Sequence, residues 1–154
     1  MSTQKPDKFT IRVYAIIVNE NNEVLVSDEY QYDTLITKFP GGGMEFGEGT
    51  IQALEREADE EFGQEIDVLE HFYTTDFFQQ AMFLEQTQVV SIYYKAKFKK
   101  KIQFTTSRTR FDFEELVHEA QSFRWIKISE LDVGEITFPI DKRAAELLIK
   151  EFKL

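Results

Sequence analysis

Residues 55–63, EREADEEFG, place five carboxylates and one arginine in a short stretch that ends at a glycine. Glu57 and Glu61 are four residues apart and Glu57 and Glu60 three apart, so in a helix they share a face. Like charges at that spacing repel by roughly 0.2–0.5 kcal/mol per pair. Such a face is either solvated or bound to something that offsets the repulsion. Three oxygen donors within reach of one point suit a hard divalent cation, Mg²⁺ or Mn²⁺. A solvated acidic helix face fits the same three residues.

A helix predicted over 50–62 puts Ile51, Leu54, Ala58 and Phe62 on one arc at about 100° per residue. Glu57, Glu60 and Glu61 occupy a neighbouring arc beside Ala53, at the border of the apolar stripe. Arg56, four residues before Glu60, is placed to pair with it. Gly49 or Thr50 starts the helix and Gly63 closes it. The preceding segment, FPGGGMEFGEGT, is broken by Pro40, Gly41, Gly42, Gly43 and Gly47 and reads as a loop. Bare backbone of this kind lets N–H and carbonyl groups approach a ligand or metal.

Strand composition marks 9–18, 23–30, 35–39, 66–78, 88–98 and 122–128. The first two read as a hairpin turning at Asn19–Asn22. A second helix is predicted over 139–152, with Pro139 at its start and Ile140, Ala144, Leu147, Leu148 and Phe152 on one side. Strands flanking a central helix, closed by a terminal one, give a mixed α/β sandwich. No linker or internal repeat divides residues 1–154, which read as a single domain.

Composition narrows the function. The 154 residues carry 28 acidic against 18 basic side chains, a formal net charge of −10. That balance argues against general nucleic-acid binding. The acidity is local: residues 45–65 hold eight carboxylates against Arg56 alone. The absence of cysteine excludes disulfides, a thiolate zinc site and a cysteine nucleophile, and it fits a reducing cytoplasm. The N-terminal segment MSTQKPDKFT lacks the apolar core of a secretory signal. No apolar run reaches the length of a membrane span.

The spacing resembles the signature of the Nudix hydrolases, the MutT-like family: G-x5-E-x7-R-E-U-x-E-E-x-G-U, with U bulky and aliphatic. Gly42, Glu48, Arg56, Glu57, Glu60, Glu61 and Gly63 fall on its glycine and charged positions. Ala58 and Gln64 depart from it at the two aliphatic positions, where packing is concerned. The resemblance extends over about residues 9–150 and implies a Nudix-type α/β/α sandwich with a mixed sheet. It implies that Glu57, Glu60 and Glu61, with the Gly42 carbonyl, bind Mg²⁺ or Mn²⁺. Glu48 then acts behind them or through water, and Arg56 orients them. The implied reaction is hydrolysis of the pyrophosphate bond of a small nucleoside diphosphate derivative. Homodimers are frequent in the family.

Family members often draw a general base from a loop before the late tryptophan strand. Glu119, six residues before Trp125, is the first choice there, with Glu114 and Glu115 as rivals. Lys38, Arg108 and Arg110 are candidates for meeting phosphates, each also readable as a surface charge. Phe77, Phe78 and Phe83 read as core packing and His71 and His118 as structural. Specificity is expected from 28–36, 76–88 and 103–120. The alternative function is a non-catalytic Nudix-fold module that binds or senses a ligand.

Overall fold

The computed structural model describes residues 5–154; residues 1–4, part of the polar N-terminal segment, lie outside it. Eight strands and two helices follow in order. They are β1 (Lys8–Ile17), β2 (Glu23–Gln31), β3 (Thr34–Lys38), β4 (Gly41–Gly43), α1 (Thr50–Phe62), β5 (Ile66–Thr74), β6 (Thr87–Phe98), β7 (Thr106–Ser107), β8 (Ala120–Lys127) and α2 (Pro139–Phe152). Strands β4-β1-β6-β5 form one sheet and β3-β2-β8-β7 the other. Each is mixed, because β1 runs parallel to β6 and β7 parallel to β8. No helix is long and apolar enough to cross a membrane among the described residues.

The expected hairpin does not form. Asn19 does turn the chain, its Oδ1 accepting from the N–H of Asn21 (2.9 Å) and Glu23 (3.0 Å), but β1 and β2 then enter different sheets. One isolated bridge, Val18 to Val24, remains between them. Both strands are apolar on both faces, so each must be covered twice. Val13, Ala15 and Ile17 pack with Ala53, Leu54, Ala58 and Phe62 of α1. Tyr14 and Ile16 turn the other way, into a second core with Ile140, Ala144, Ala145 and Leu148 of α2. The two sheets therefore lie between the two helices, the expected α/β/α sandwich.

Two helix-face details change. In α1, Ala53 is fully buried and Ile51 is 46% exposed, so the buried arc is rotated toward Glu57 and Glu61. In α2, Phe152 is exposed and Ala145 takes its place in the core. The α1 ends match expectation: Gln52 Oε1 accepts from Gly49 N–H at 2.7 Å, and Gly63 adopts φ 65° to stop the helix. The triple glycine is not a loop but the short strand β4, paired antiparallel with Arg12–Tyr14. Between β3 and β4 the chain passes from one sheet to the other through Phe39 and Pro40 alone, both buried.

A buried ion pair ties β2, β3, β8 and the loop after β7 together. Asp28 accepts from Arg124 Nε at 2.8 Å and Nη2 at 3.1 Å, from Thr37 Oγ1 at 2.8 Å and from Phe111 N–H at 3.2 Å. Removing one partner leaves a charge buried without compensation. Asp28→Ala or Arg124→Met is expected to destabilise the protein by roughly 3–5 kcal/mol in urea denaturation. The double variant should lose less than the sum of the two.

Candidate active site

The glutamates of α1 reach the sheet because β4 has no side chains. A Cβ on Gly42 would stand 2.5–2.6 Å from the three carboxyl atoms of Glu57, so only glycine leaves that carboxylate its place. Arg56 then gathers the charges. Its Nη2 donates to Glu48 Oε1 at 2.7 Å and to the Gly43 carbonyl at 2.8 Å, and its Nε donates to Glu48 Oε2 at 3.0 Å. Its Nη1 donates to Glu57 and Glu60, each at 3.2 Å. Hydrogen bonds from Arg56 hold the Glu48 carboxyl below its usual range, helped by the Glu45 N–H. Burial pushes Glu57 upward despite its contact with Arg56.

Glu61 differs from its neighbours. Its Oε1 accepts from Gln121 Nε2 at 3.2 Å, while its Oε2 is the one buried side-chain N or O atom without a partner among the described residues. Burial raises its pKa to about 7. The same Gln121 amide donates to Ser27 Oγ (2.9 Å) and Glu29 Oε2 (3.3 Å), linking Glu61 to β2. Glu29 in turn pairs with buried Lys38 at 3.3 Å. Burial pushes the Lys38 pKa down, but Glu29, Glu61 and Tyr14 outweigh it and the net shift is upward.

No three carboxylate or imidazole groups already converge on one point among the described residues, and Glu60 is turned toward Arg56. The donor set nonetheless fits a hard divalent cation. It offers a buried carboxylate oxygen with nothing bound to it beside a second carboxylate held against bare backbone.

Next to this face lies a cavity of about 480 Å³ between the two sheets. Its walls include Arg12 and Tyr14 of β1, Tyr93 of β6, Ile36 and Lys38 of β3, Phe138–Asp141 at the start of α2, and the loop residues Gln79–Leu84. Asp141 is buried on its floor, accepting from Tyr93 OH and from Phe39 N–H (3.3 Å), and burial raises its pKa to about 6.

Several expected residues are placed differently. Lys38 lines the cavity, yet it donates to the carbonyls of Phe39 and Gly41, each at 3.2 Å, and pairs with Glu29, so its three protons have partners. Arg108 pairs with Glu23, and Arg110 donates to Thr37 Oγ1 and the Glu135 carbonyl. Neither arginine lines the cavity; both pin the 108–110 loop to the second sheet. Phe77 and Phe78 are exposed instead of forming core, while Phe83 packs at a tilt against Tyr32 in the cavity wall. His71 makes a local hydrogen bond with Thr74, and His118 Nδ1 accepts one from the N–H of Tyr32, 86 residues away. Glu119 is exposed with φ 72°, its N–H donating to the Tyr30 carbonyl at 2.8 Å. The sequence reading missed Arg12, Glu29, Gln121 and Asp141. The first three stand at alternating positions in strands that carry no motif, and only "FPID", with its aspartate just inside a helix, gave a local signal.

The NUDIX domain model matches residues 8–148, and the chain belongs to that family. No curated protein matches the sequence. Among solved structures, the fold is similar to a NUDIX hydrolase from Nitrosomonas europaea, with a TM-score of 0.69, 18% identity and 94% of this chain against 90% of that one. The MutT protein from Methanosarcina mazei Go1 gives a TM-score of 0.69 at 21% identity, covering 99% and 100%. A UDP-X diphosphatase gives 0.66 at 19%, covering 99% of this chain and 66% of that one.

Two outcomes are expected. Arg56→Lys keeps the charge but loses most of the acceptors that a planar guanidinium holds at once. Turnover of a hydrolysed substrate should fall about 10²-fold, as misplaced reacting groups do. The second concerns Glu61. Its folded-state pKa lies above the unfolded value, so the charged form is disfavoured by folding and stability falls as pH rises from about 4.5 through 7. In chelator, Glu61→Gln should melt higher than the wild type at pH 8, on the order of 2–6 °C, and the gap should close by pH 5.

Proposed function

We propose that this chain hydrolyses the pyrophosphate bond of a nucleoside diphosphate linked to another moiety, in the presence of Mg²⁺ or Mn²⁺. Family membership supports pyrophosphohydrolase activity in general. The observation that carries the finer reading is the unpartnered, buried Oε2 of Glu61 beside Glu57, an arrangement that folding disfavours unless a cation completes it.

Glu57, Glu60 and Glu61, with the Gly42 carbonyl, would hold the cation. When bound, it supplies positive charge to the pyrophosphate and acidifies water. Arg56 orients Glu48, Glu57 and Glu60, and Lys38 fixes the Gly41 carbonyl and Glu29. The cavity takes the moiety on one side of the scissile bond. Glu119 receives the proton of the attacking water. In its favour, its backbone is anchored on Tyr30, and it immediately precedes the strand that brings Gln121 to Glu61. Glu114 and Glu115 stand on a separate cavity with Phe113 and Phe123.

The test is phosphate release over a panel of ADP-ribose, sugar nucleotides, dinucleoside polyphosphates, oxidised nucleotides and capped RNA. Hydrolysis of at least one class with Mg²⁺, and its loss in chelator, is expected. Inactivity toward every class with either cation overturns the reading. With an active substrate found, Glu119→Gln should lower kcat by roughly 10²–10⁴-fold. Glu114→Gln and Glu115→Gln should leave it near wild type.

A further inference from the structure

We infer that Arg12 is the anchor for the phosphate attached to the moiety in the cavity, and so the residue that joins the cavity to the carboxylate face. The inference rests on the hydrolase reading above. Two cationic side chains line the cavity, Arg12 and Lys38. Lys38 has its protons engaged by two carbonyls and Glu29. Arg12 has donors to spare. Its Nε donates to Tyr14 OH at 2.5 Å, and its two terminal nitrogens make no hydrogen bond or ion pair with the described residues. They are not sealed away, since Glu61 Oε2 is the one buried side-chain atom left without a partner.

The position of Arg12 fits the task. In β1 it is opposite Gly43 of β4 and Ser91 of β6, so it sits one strand from the glycine that abuts Glu57. Its Nη1 lies over Gly43, 3.7 Å from where a Cβ would stand, while Arg56 holds the carbonyl of the same residue. Tyr14 first, and Glu57 and Asp141 after it, outweigh the effect of burial and hold the Arg12 guanidinium charged. The Tyr14 hydroxyl fixes Nε, leaving Nη1 and Nη2 as a fork. Such a fork matches two phosphate oxygens, which a single ammonium cannot do. A substrate seated in the cavity with its diphosphate at the carboxylates must pass this fork.

The test is titration calorimetry with AMP, GMP, CMP and UMP and with the corresponding nucleosides, on wild type, Arg12→Gln, Arg12→Lys and Tyr14→Phe. Wild type should bind at least one monophosphate more tightly than its nucleoside. Arg12→Gln should reduce that difference by roughly 10–100-fold, the worth of a charged hydrogen bond, and leave nucleoside affinity unchanged. Arg12→Lys should recover part of it. Tyr14→Phe, which frees Nε, should lose severalfold. With a hydrolysed substrate, KM should rise more than kcat falls. If Arg12→Gln does not fold, Arg12→Lys decides the matter: an unchanged phosphate difference overturns the inference. So does a wild type with no preference for monophosphates, or an Arg12→Gln variant that retains it. A wild type that hydrolyses nucleoside diphosphate derivatives but fails this test sinks Arg12 alone. One that binds monophosphates through Arg12 but hydrolyses nothing sinks the hydrolase reading alone.

Discussion

Arg56 makes the rest of the site compatible with folding. Glu48 just before α1 and Glu57 and Glu60 within it converge on Arg56, and their mutual repulsion opposes both the helix and its docking on the sheet. One guanidinium bonds all three and also takes the Gly43 carbonyl, so the helix is fastened to β4 by the group that neutralises it. An ammonium has three donors in no fixed plane and could not span these acceptors. Fold and site are thus coupled through a single side chain.

A second set of polar groups lies deeper and is less well compensated. Lys38, Glu29, Gln121 and Glu61 come from β3, β2, β8 and α1 and form one connected set. Lys38 pairs with Glu29 and not with Glu61, and burial outweighs its pull, so Glu61 is left with an upward shift and an open oxygen. Groups whose charge the fold disfavours in this way concentrate at functional sites, where a ligand restores the balance. On the cavity floor, Asp141 is in a similar state, although Tyr93 and Phe39 satisfy its oxygens.

The helices, most strands and the α1 residues were legible because periodicity and capping are local: Gly49, Gly63 and Pro139 mark their elements unaided. Sheet membership was not. Whether β1 pairs with β2 depends on what covers each face, and a strand apolar on both sides does not reveal its neighbour. The triple glycine looked like a loop because glycine is a poor strand former. It is held in β4 by pairing with Arg12–Tyr14 and by the space Glu57 needs. Arg108 and Arg110 looked available for phosphate until their partners, Glu23, Thr37 and the Glu135 carbonyl, arrived from distant sequence. Arg12 was hidden by the converse: an isolated arginine in a strand shows its vacant donors only once the cavity forms around it.

The passage from β3 to β4 through Phe39 and Pro40 also limits how the chain can change length. Phe39 is fully buried with its N–H on Asp141, and the Pro40 carbonyl accepts from Ala15 N–H at 2.9 Å. Strand side chains alternate with a period of two, so one inserted or deleted residue here would turn β4 over. The open side of Gly42 would then face away from Glu57, and Lys38 would lose its grip on the Gly41 carbonyl. Insertions and deletions are therefore barred from residues 38–43. The 76–86 loop lines the cavity and is tied to β6 through Gln79 and Ala81, but its tip beyond Ala81 can change length without altering the β3–β4 register, so the moiety accepted can diversify while the distance from cavity to carboxylates stays constant.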